Sequence, residues 1–454
     1  MQFTDLNAEG GIGANSVLVE LGDYRFVVDA GLSPKQEGAK ALPRFDLVEP
    51  GSLDFILLTH CHLDHVGALP VLCKQQPQAQ ILCSAASGLL APRMLRNSIQ
   101  VMHRQREELN LPELPLYQYE DIERVEERLR PLPLEKTFNF RPEGREKPLQ
   151  ITPYAAGHIA GAIGVQVVYK GRKILFSGDV LFSDQRTLPG SSLPFAPVDT
   201  LVMETTRGQH ERDPERNRES EVERLFAKMR EVLARGGSIL VPVFALGRMQ
   251  EILTLLADAR ENNTLPKTPI YCSGLGMDIV NYFDVIAKRM GQVNFKRSIL
   301  SDLKVRQPDW KVAPGRDVSQ KGIYILSSGM LVENTPSYKT AAAMIENPDN
   351  AILFVGYCDP DTPGGKLLTT QSGDEFTFEA LDYRATIRAE IQQYDMSGHA
   401  DREELLEFAL ACDPRVIVLT HGDPPSRDWF SQALAAAPAK LRVIDPQPLV
   451  ATEV

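Results

Sequence analysis

The chain of 454 residues is long enough for two domains of ordinary size, and its hydrophobic content of 43% supports sizeable cores. No apolar run approaches the roughly eighteen residues of a membrane helix, the first residues lack the basic and apolar stretches of a signal peptide, and the six cysteines form no Cys-x-x-Cys pair, so a cytoplasmic protein with no membrane partner is expected. The net charge of −11 argues against a broadly basic, nucleic-acid-coating surface, although it does not describe a local cleft where bound cations add positive charge.

Residues 16–21 and 24–28 read as strands around the two-residue turn Gly22-Asp23, the second ending at Asp29-Ala30-Gly31. The apolar run Phe55-Ile56-Leu57-Leu58 reads as a buried strand. Directly after it comes Thr59-His60-Cys61-His62-Leu63-Asp64-His65-Val66-Gly67, which holds three of the chain's eight histidines and a carboxylate. Imidazole and carboxylate are the ligands of catalytic zinc sites, which keep one position open. Four such donors are too many for one open site, so the spacing predicts two metal ions side by side. In an extended segment successive side chains oppose each other, which groups His60 with His62 and turns Cys61 away. A polar, arginine-rich helical region follows over 91–130. His158 sits among small residues in Ala156-Gly157-His158-Ile159-Ala160-Gly161-Ala162, which let backbones approach closely. A strand pair at 164–169 and 173–176 then delivers Ser177-Gly178-Asp179.

From about residue 205 helices and strands alternate. Asp213-Pro214 reads as an N-cap and first helical position, opening a helix with Val222, Leu225, Phe226, Met229 and Leu233 on one face and Gly236-Gly237 as its stop. Strands are expected at 238–244, 322–326 and 351–355, with a helix beginning near Gly247. That alternation predicts a parallel sheet covered on both faces. The last sixty or so residues return to short strands and loops, and 416–420 ends at His421-Gly422-Asp423, so the α/β stretch reads as an inserted domain. His103 and His210 read as structural. Lys288, Arg289, Lys296, Arg297, Lys304, Arg306 and Lys311 form a basic stretch, read either as a nucleic-acid track or as a solvated charged face.

The succession Asp29, His60-x-His62-x-Asp64-His65, His158, Asp179 resembles the metallo-β-lactamase family. The resemblance implies a four-layer αββα sandwich. It assigns one metal to His60, His62 and His158 and the other to Asp64, His65 and His421, with Asp179 bridging and Asp29 orienting a ligand from behind. Leu201-Val202-Met203-Glu204-Thr205-Thr206, Ser397-Gly398-His399-Ala400-Asp401 and His421 look like the three additional motifs of the β-CASP nucleases within that family. Phe244-Ala245-Leu246-Gly247-Arg248-Met249-Gln250-Glu251 and Ser327-Ser328-Gly329-Met330 are similar to further β-CASP segments.

The β-CASP resemblance implies an α/β cap domain of mainly parallel sheet over 205–388, inserted into a metallo-β-lactamase domain of 1–204 and 389–454. It implies a ribonuclease with two zinc ions, manganese being the other candidate, and a bridging hydroxide as nucleophile. His399 held by Glu204 would be the general acid, Asp64 would count in the catalytic set as well as among the ligands, and Arg248, Ser328 and Ser397 would contact substrate. Single-stranded RNA is the implied partner, with a homodimer as the expected assembly. Three other readings share the same residues: a hydrolase of small esters or thioesters, a DNA nuclease of the same family, and a scaffold without turnover. The first of these does not need Glu204, His399 or a cap of this length.

Overall fold

The computed structural model describes residues 1–309, 311–437 and 441–454. The chain divides into two compact units: Met1–Asp184 with Leu188–Arg212 and His399–Val454, and Gln185–Thr187 with Asp213–Gly398.

The first unit holds two seven-stranded sheets. One runs, in spatial order, Thr452–Glu453, Gln2–Asp5, Val17–Leu21, Tyr24–Val28, Phe55–Leu57, Gln80–Ser84 and Leu129–Leu132; the other runs Arg442–Ile444, Val416–Thr420, Thr200–Glu204, Arg172–Phe176, Ile163–Tyr169, Leu149–Ala155 and Phe138–Phe140. Alternate residues of the hairpin strands, Val17, Val19 and Leu21 with Phe26 and Val28, enter the core that the sheets share. Phe55 of the first sheet stacks on Phe26 at 4.6 Å between ring centroids and meets Phe140 of the second edge-on at 5.0 Å. Aromatic pairs of this kind add about 0.5–1.5 kcal/mol each beyond the area they bury. The helices Leu69–Gln75, Ala85–Glu108 and Tyr119–Arg128 accompany the first sheet. Arg402–Ala411 and Pro424–Ala435 cover the second, placing Leu405, Phe408, Phe430 and Leu434 on Leu175, Leu201, Ile417 and Leu419. The layers are therefore helix, sheet, sheet, helix, as the resemblance implied.

The helical region expected over 91–130 is two helices, the first beginning earlier because Ser84 accepts from Ser87 N at the helix start. Among the described residues, no helix is long and apolar enough to cross a membrane.

The second unit is built on a five-stranded, all-parallel sheet in the order Ile270–Cys272, Ile323–Leu326, Ile239–Pro242, Ala351–Phe354, Glu390–Gln393. A two-stranded hairpin, Glu375–Phe378 with Tyr383–Thr386, packs on the same core. Two expectations are corrected here. Asp213 does not cap the first helix; its Oδ1 accepts from Glu215 N at 3.0 Å in a local turn. The helix Arg218–Ala234 starts four residues later, where Asn217 and Ser220 exchange side-chain to backbone bonds of 2.9 and 3.0 Å. The expected boundaries at 204/205 and 388/389 also shift, to 212/213 and 398/399. Glu390–Gln393 pairs in register with Ala351–Phe354, so the parallel sheet keeps the chain in the second unit for ten residues longer. Gln185–Thr187 also belongs to this unit, because Glu251 accepts from Arg186 N and Thr187 N at 2.9 Å each and from Thr187 Oγ1 at 2.7 Å.

Candidate metal centre and proton donor

Strand ends place the functional side chains. Tyr24–Val28 and Phe55–Leu57 are parallel neighbours with Val28 opposite Leu57, so Asp29 and Thr59 emerge at one sheet edge. Asp29 takes a positive φ of 60° and is buried, a conformation Asp tolerates better than most residues. Its Oδ1 accepts from Thr59 N at 2.7 Å, and its Oδ2 accepts from Thr59 Oγ1 at 2.7 Å and from His65 Nδ1 at 2.8 Å. A carboxylate at Nδ1 fixes the proton there and turns the Nε2 lone pair of His65 toward the cluster.

The short helix Leu63–Val66 carries Asp64 and His65. Its carbonyls accept from Asn15 N, Ala30 N and Leu32 N at 2.7–2.9 Å. Gly31 lies beneath it, and a Cβ at that position would sit 1.7 Å from Asp64 O. No other residue fits between these two backbones.

The remaining candidates converge on the same place. His60 and His65 are fully buried, His158, Asp179 and His421 nearly so, and His62 and Asp64 partly exposed. His158 Nε2 is 3.0 Å from His62 Nδ1. Asp179 Oδ2 is 3.3 Å from His65 Nε2, 3.7 Å from His60 Nε2 and 3.8 Å from His158 Nε2, while Oδ1 is 3.4 Å from His421 Nδ1. Asp64 Oδ2 lies 3.3 Å from His421 Nε2 and 3.6 Å from His65 Nε2. Among the described residues five ligand-like triads result, each with donor atoms within 4.8 Å of one another: His60, His62 and His158; Asp64, His65 and His421; His60, His65 and Asp179; His158, Asp179 and His399; and Asp179, Glu204 and His421. Asp179 therefore touches both of the ligand sets that the resemblance separates.

Two hydroxyls that sequence reading missed steady these imidazoles. Thr59 Oγ1 is 3.1 Å from His60 Nδ1, and Thr206 Oγ1 is 3.0 Å from His421 Nδ1. Thr59 precedes His60 directly, but Thr206 lies 215 positions from His421, so the sequence carried no pattern that marked the pair. With His60 Nδ1 engaged by Thr59, its buried Nε2 makes no hydrogen bond among the described residues. An unpaired buried nitrogen costs about 1–3 kcal/mol, which coordination of a cation would offset. The donor set of imidazoles and carboxylates fits zinc or manganese, the fully oxygen-ligated geometry of calcium being excluded by its nitrogens.

The electrostatics are strongly polarised. Burial, reinforced by His65, pushes His60 well below the usual imidazole range. Burial opposes charge on His65 as well, but Asp179, Asp64 and Asp29 around it hold its affinity for a proton well above normal. Asp179 is buried, which favours its neutral form, yet His421, His65 and His60 keep it ionised far below the ordinary carboxylate range.

A second pair abuts this cluster. Glu204 closes the strand Thr200–Glu204, and its carboxylate is 3.0 and 3.1 Å from His399 Nδ1. Glu204 Oε1 also accepts from Val180 N at 2.7 Å, so the carboxylate is fixed in place. The His399 ring lies 4.4 Å from the His158 ring, centroid to centroid. Burial works against a charged His399, but the Glu204 carboxylate outweighs it and raises its proton affinity. Arg207, also missed from the sequence, is buried and donates to the His399 carbonyl at 3.5 Å.

Arg248, Ser328 and Ser397 belong to the second unit. Arg248 opens the helix Arg248–Glu261 and donates to Gln185 Oε1 at 3.5 Å. Ser397 gives its carbonyl to Arg218 NH1 at 3.0 Å. Ser328 Oγ accepts from Val332 N at 2.8 Å, which is the local turn-closing role open to any serine there. His103 is exposed on a helix, and neither it nor His210 joins a ligand cluster among the described residues.

Family models match in register with this geometry: the metallo-β-lactamase superfamily over residues 10–233, the Beta-Casp domain over 249–367, and the Zn-dependent metallo-hydrolase RNA specificity domain over 384–443. The chain is a member of the metallo-β-lactamase superfamily. With its inserted Beta-Casp domain and the segment that follows, it belongs to the β-CASP family within that superfamily. Among its relatives, cleavage and polyadenylation specificity factor 73 of Drosophila melanogaster is 28% identical over 96% of this chain and 61% of its own length. RNase aCSPSF2 of Saccharolobus solfataricus is 26% identical over 93% of this chain and 79% of its own, and ribonuclease TTHA0252 of Thermus thermophilus is 28% identical over 93% of both. The chain thus spans about three fifths of the length of the fly relative. A protein of unknown function from Enterococcus faecalis V583 shares the fold over 99% of both chains, with a TM-score of 0.55 at 12% identity.

Proposed function

We propose that this chain is a ribonuclease that hydrolyses phosphodiester bonds of single-stranded RNA at a two-zinc centre in the first unit. His60, His62 and His158 would hold one cation, and Asp64, His65 and His421 the other, with Asp179 shared. Bound there, the cations supply positive charge for the attacked phosphate and make water acidic enough to react at neutral pH.

The observation that carries this reading is the His399–Glu204 pair beside the ligand cluster, at 3.0 Å and with His399 4.4 Å from the His158 ring. The leaving oxygen of a phosphodiester is a strong base and needs a proton as its bond to phosphorus breaks. Glu204 holds Nδ1 and favours the imidazolium, so His399 Nε2 carries that proton to the leaving oxygen. Asp29 and Thr59 keep His65 and His60 oriented, and Thr206 does the same for His421. A thioester has a weakly basic thiolate leaving group that departs with far less help, which makes a carboxylate-held imidazole superfluous to it. The match to an RNA specificity domain and the ribonuclease names of two relatives support RNA as the polymer. The second unit would be the cap, contributing Arg248 as a phosphate contact.

The test is cleavage of 5′- and 3′-labelled RNA beside a generic thioester, with and without chelator, and with metal content measured. Chelator-sensitive RNA cleavage is expected. Thioester turnover without RNA cleavage would refute the reading, as would a His399→Ala protein that keeps full metal and full RNA cleavage.

A further inference from the structure

The second unit carries a concentration of positive charge that the ligand cluster does not explain. Residues 288–306 hold six cations, Lys288, Arg289, Lys296, Arg297, Lys304 and Arg306, against a single carboxylate, Asp302, in a chain of net charge −11. All six side chains are exposed. The segment leaves the helix Leu275–Met290 and turns its apolar residues Val293, Phe295, Ile299 and Leu303 into the core, so its cations are left on the outer side. Asp284 gathers one end: its Oδ2 takes Lys288 Nζ at 2.6 Å and its Oδ1 takes Arg297 N at 3.0 Å. The other end is pinned to the edge strand Ile270–Cys272, where Arg306 N donates to Ile270 O and Cys272 N to Arg306 O at 2.9 and 3.0 Å. The single short helix Ile299–Asp302 separates Arg297 from Lys304, a rise of only about 6 Å.

This strip is continuous with a second group of cations. Asn294 N donates to Thr187 O at 2.8 Å, and its side-chain amide donates to Arg186 O at 3.2 Å. Arg186 is itself exposed. Glu251 fixes the Arg186–Thr187 backbone and lies 3.4 Å from the Arg218 guanidinium, which shares Gln185 with Arg248. Glu251 thus serves two backbone N–H groups and Arg218, while Asp258 lies 3.4 Å from the Arg186 guanidinium, so positive charge is in excess along residues 288–306 and the arginines beyond them are met by carboxylates.

We infer that residues 288–306 and Arg186 form a docking track for the phosphate backbone of single-stranded RNA, leading along the second unit to Arg248. The choice of RNA rests on the ribonuclease reading above. A row of exposed guanidinium and ammonium groups recognises phosphates by charge rather than bases by shape. Such a track gives long substrates an affinity that short ones lack.

The experiment measures binding with metal-free protein, so that it does not depend on cleavage. Fluorescence anisotropy would compare an RNA of about 30 nucleotides, longer than an ordinary single-strand site, with a tetranucleotide, over a range of salt. The variant Arg289→Glu/Lys296→Glu/Arg306→Glu should weaken the long RNA by about tenfold or more and reduce its salt slope by about 2, the value for three lost phosphate contacts. Lys136→Glu/Lys173→Glu/Arg415→Glu, the same charge change on exposed residues of the first unit, should leave affinity within about twofold. The triple Gln variant at the same three strip positions should reproduce the loss in smaller measure, which separates lost contacts from repulsion or misfolding. Equal weakening by both Glu triples, or an unchanged slope in the strip variant, overturns the track. If wild-type protein binds long RNA through the strip but never cleaves it, the ribonuclease reading fails and the track stands.

Discussion

Replacing Glu204 by Gln separates the proposed proton donor from the proposed metal centre. The amide oxygen still accepts from Val180 N, now at 2.7 Å from Glu204 Oε1, so the backbone around Asp179 keeps its support. What changes is the partner of His399 Nδ1. A carboxylate that accepts at 3.0 and 3.1 Å becomes an amide with no charge, and the imidazolium loses the group that raises its proton affinity. General-acid catalysis contributes about 10²- to 10⁴-fold, or about 3–5 kcal/mol of barrier at 1.36 kcal/mol per tenfold. RNA cleavage at neutral pH should fall by that range while metal content stays full. The sign of the pH effect also follows. An acid works while protonated, so activity is lost as pH rises through the His399 pKa; lowering that pKa moves the alkaline limb of the rate profile to lower pH. A phosphodiester with a p-nitrophenolate leaving group departs without a proton, so its hydrolysis should be nearly untouched. If Glu204→Gln slows the p-nitrophenyl substrate as much as RNA, the pair acts on something other than the leaving group and the general-acid argument is refuted.

Asp29→Asn should weaken metal binding by about 10- to 100-fold, because a carboxylate holding a ligand imidazole from behind contributes that much; competition with a chromophoric chelator measures it, and unchanged affinity would mean that Thr59 alone orients the loop. Gly31→Ala should abolish soluble folded protein or lower stability by more than about 3 kcal/mol, since the new methyl group meets Asp64 O at 1.7 Å with backbone on both sides; a normal melting temperature would contradict the close approach. Asp5 is buried and its carboxyl is pushed up to about 6 by burial, so the folded state resists its ionisation and loses stability as pH rises from about 4 through 6, by about 1.4 kcal/mol for each pH step of one across that window. Asp5→Asn keeps an oxygen for Asn7 N and should stabilise the metal-free protein by up to about 3 kcal/mol at pH 7.5 and by nothing near pH 4. Urea unfolding at both pH values checks this, and a difference independent of pH would be the contrary result.

Much of the first unit was legible because its cues are local. The Gly22-Asp23 turn lies between strands that pair in the expected register, and the histidine-rich loop follows its strand directly. The second unit was less legible at its edges. Ile270–Cys272 is only three residues long, and Glu390–Gln393 is largely polar and half-exposed, so neither carries an apolar run. Asp213-Pro214 has the composition of a helix start, yet the reciprocal pair Asn217 and Ser220 satisfies two backbone donors where Asp213 satisfies one turn. Thr59, Thr206 and Arg207 were invisible as functional residues because a threonine or arginine beside a strand end has no distinguishing pattern. Their roles come from what lies across the sheet.

The site depends on register as much as on residue type. His65 and His421 are 356 positions apart in sequence and 3.2 Å apart in space. Parallel pairing closes that gap, because it sends the C-terminal ends of neighbouring strands to one edge. Thr200–Glu204 pairs with Val416–Thr420 so that Glu204 stands opposite Thr420, one residue before His421. In the other sheet Val28 stands opposite Leu57, bringing Asp29 level with Thr59 and the ligand loop. A slip of one residue in either pair would turn its strand-end side chains to the opposite face and break the contact of Glu204 with His399 or of Asp29 with His65. The apolar inner faces of both sheets resist such a slip, since it would take Val202 and Val418, or Phe26 and Phe55, out of the common core that they fill. The same side chains that hold the two sheets together therefore set the positions of the carboxylates, and substitutions in this core should alter metal affinity before they alter the fold.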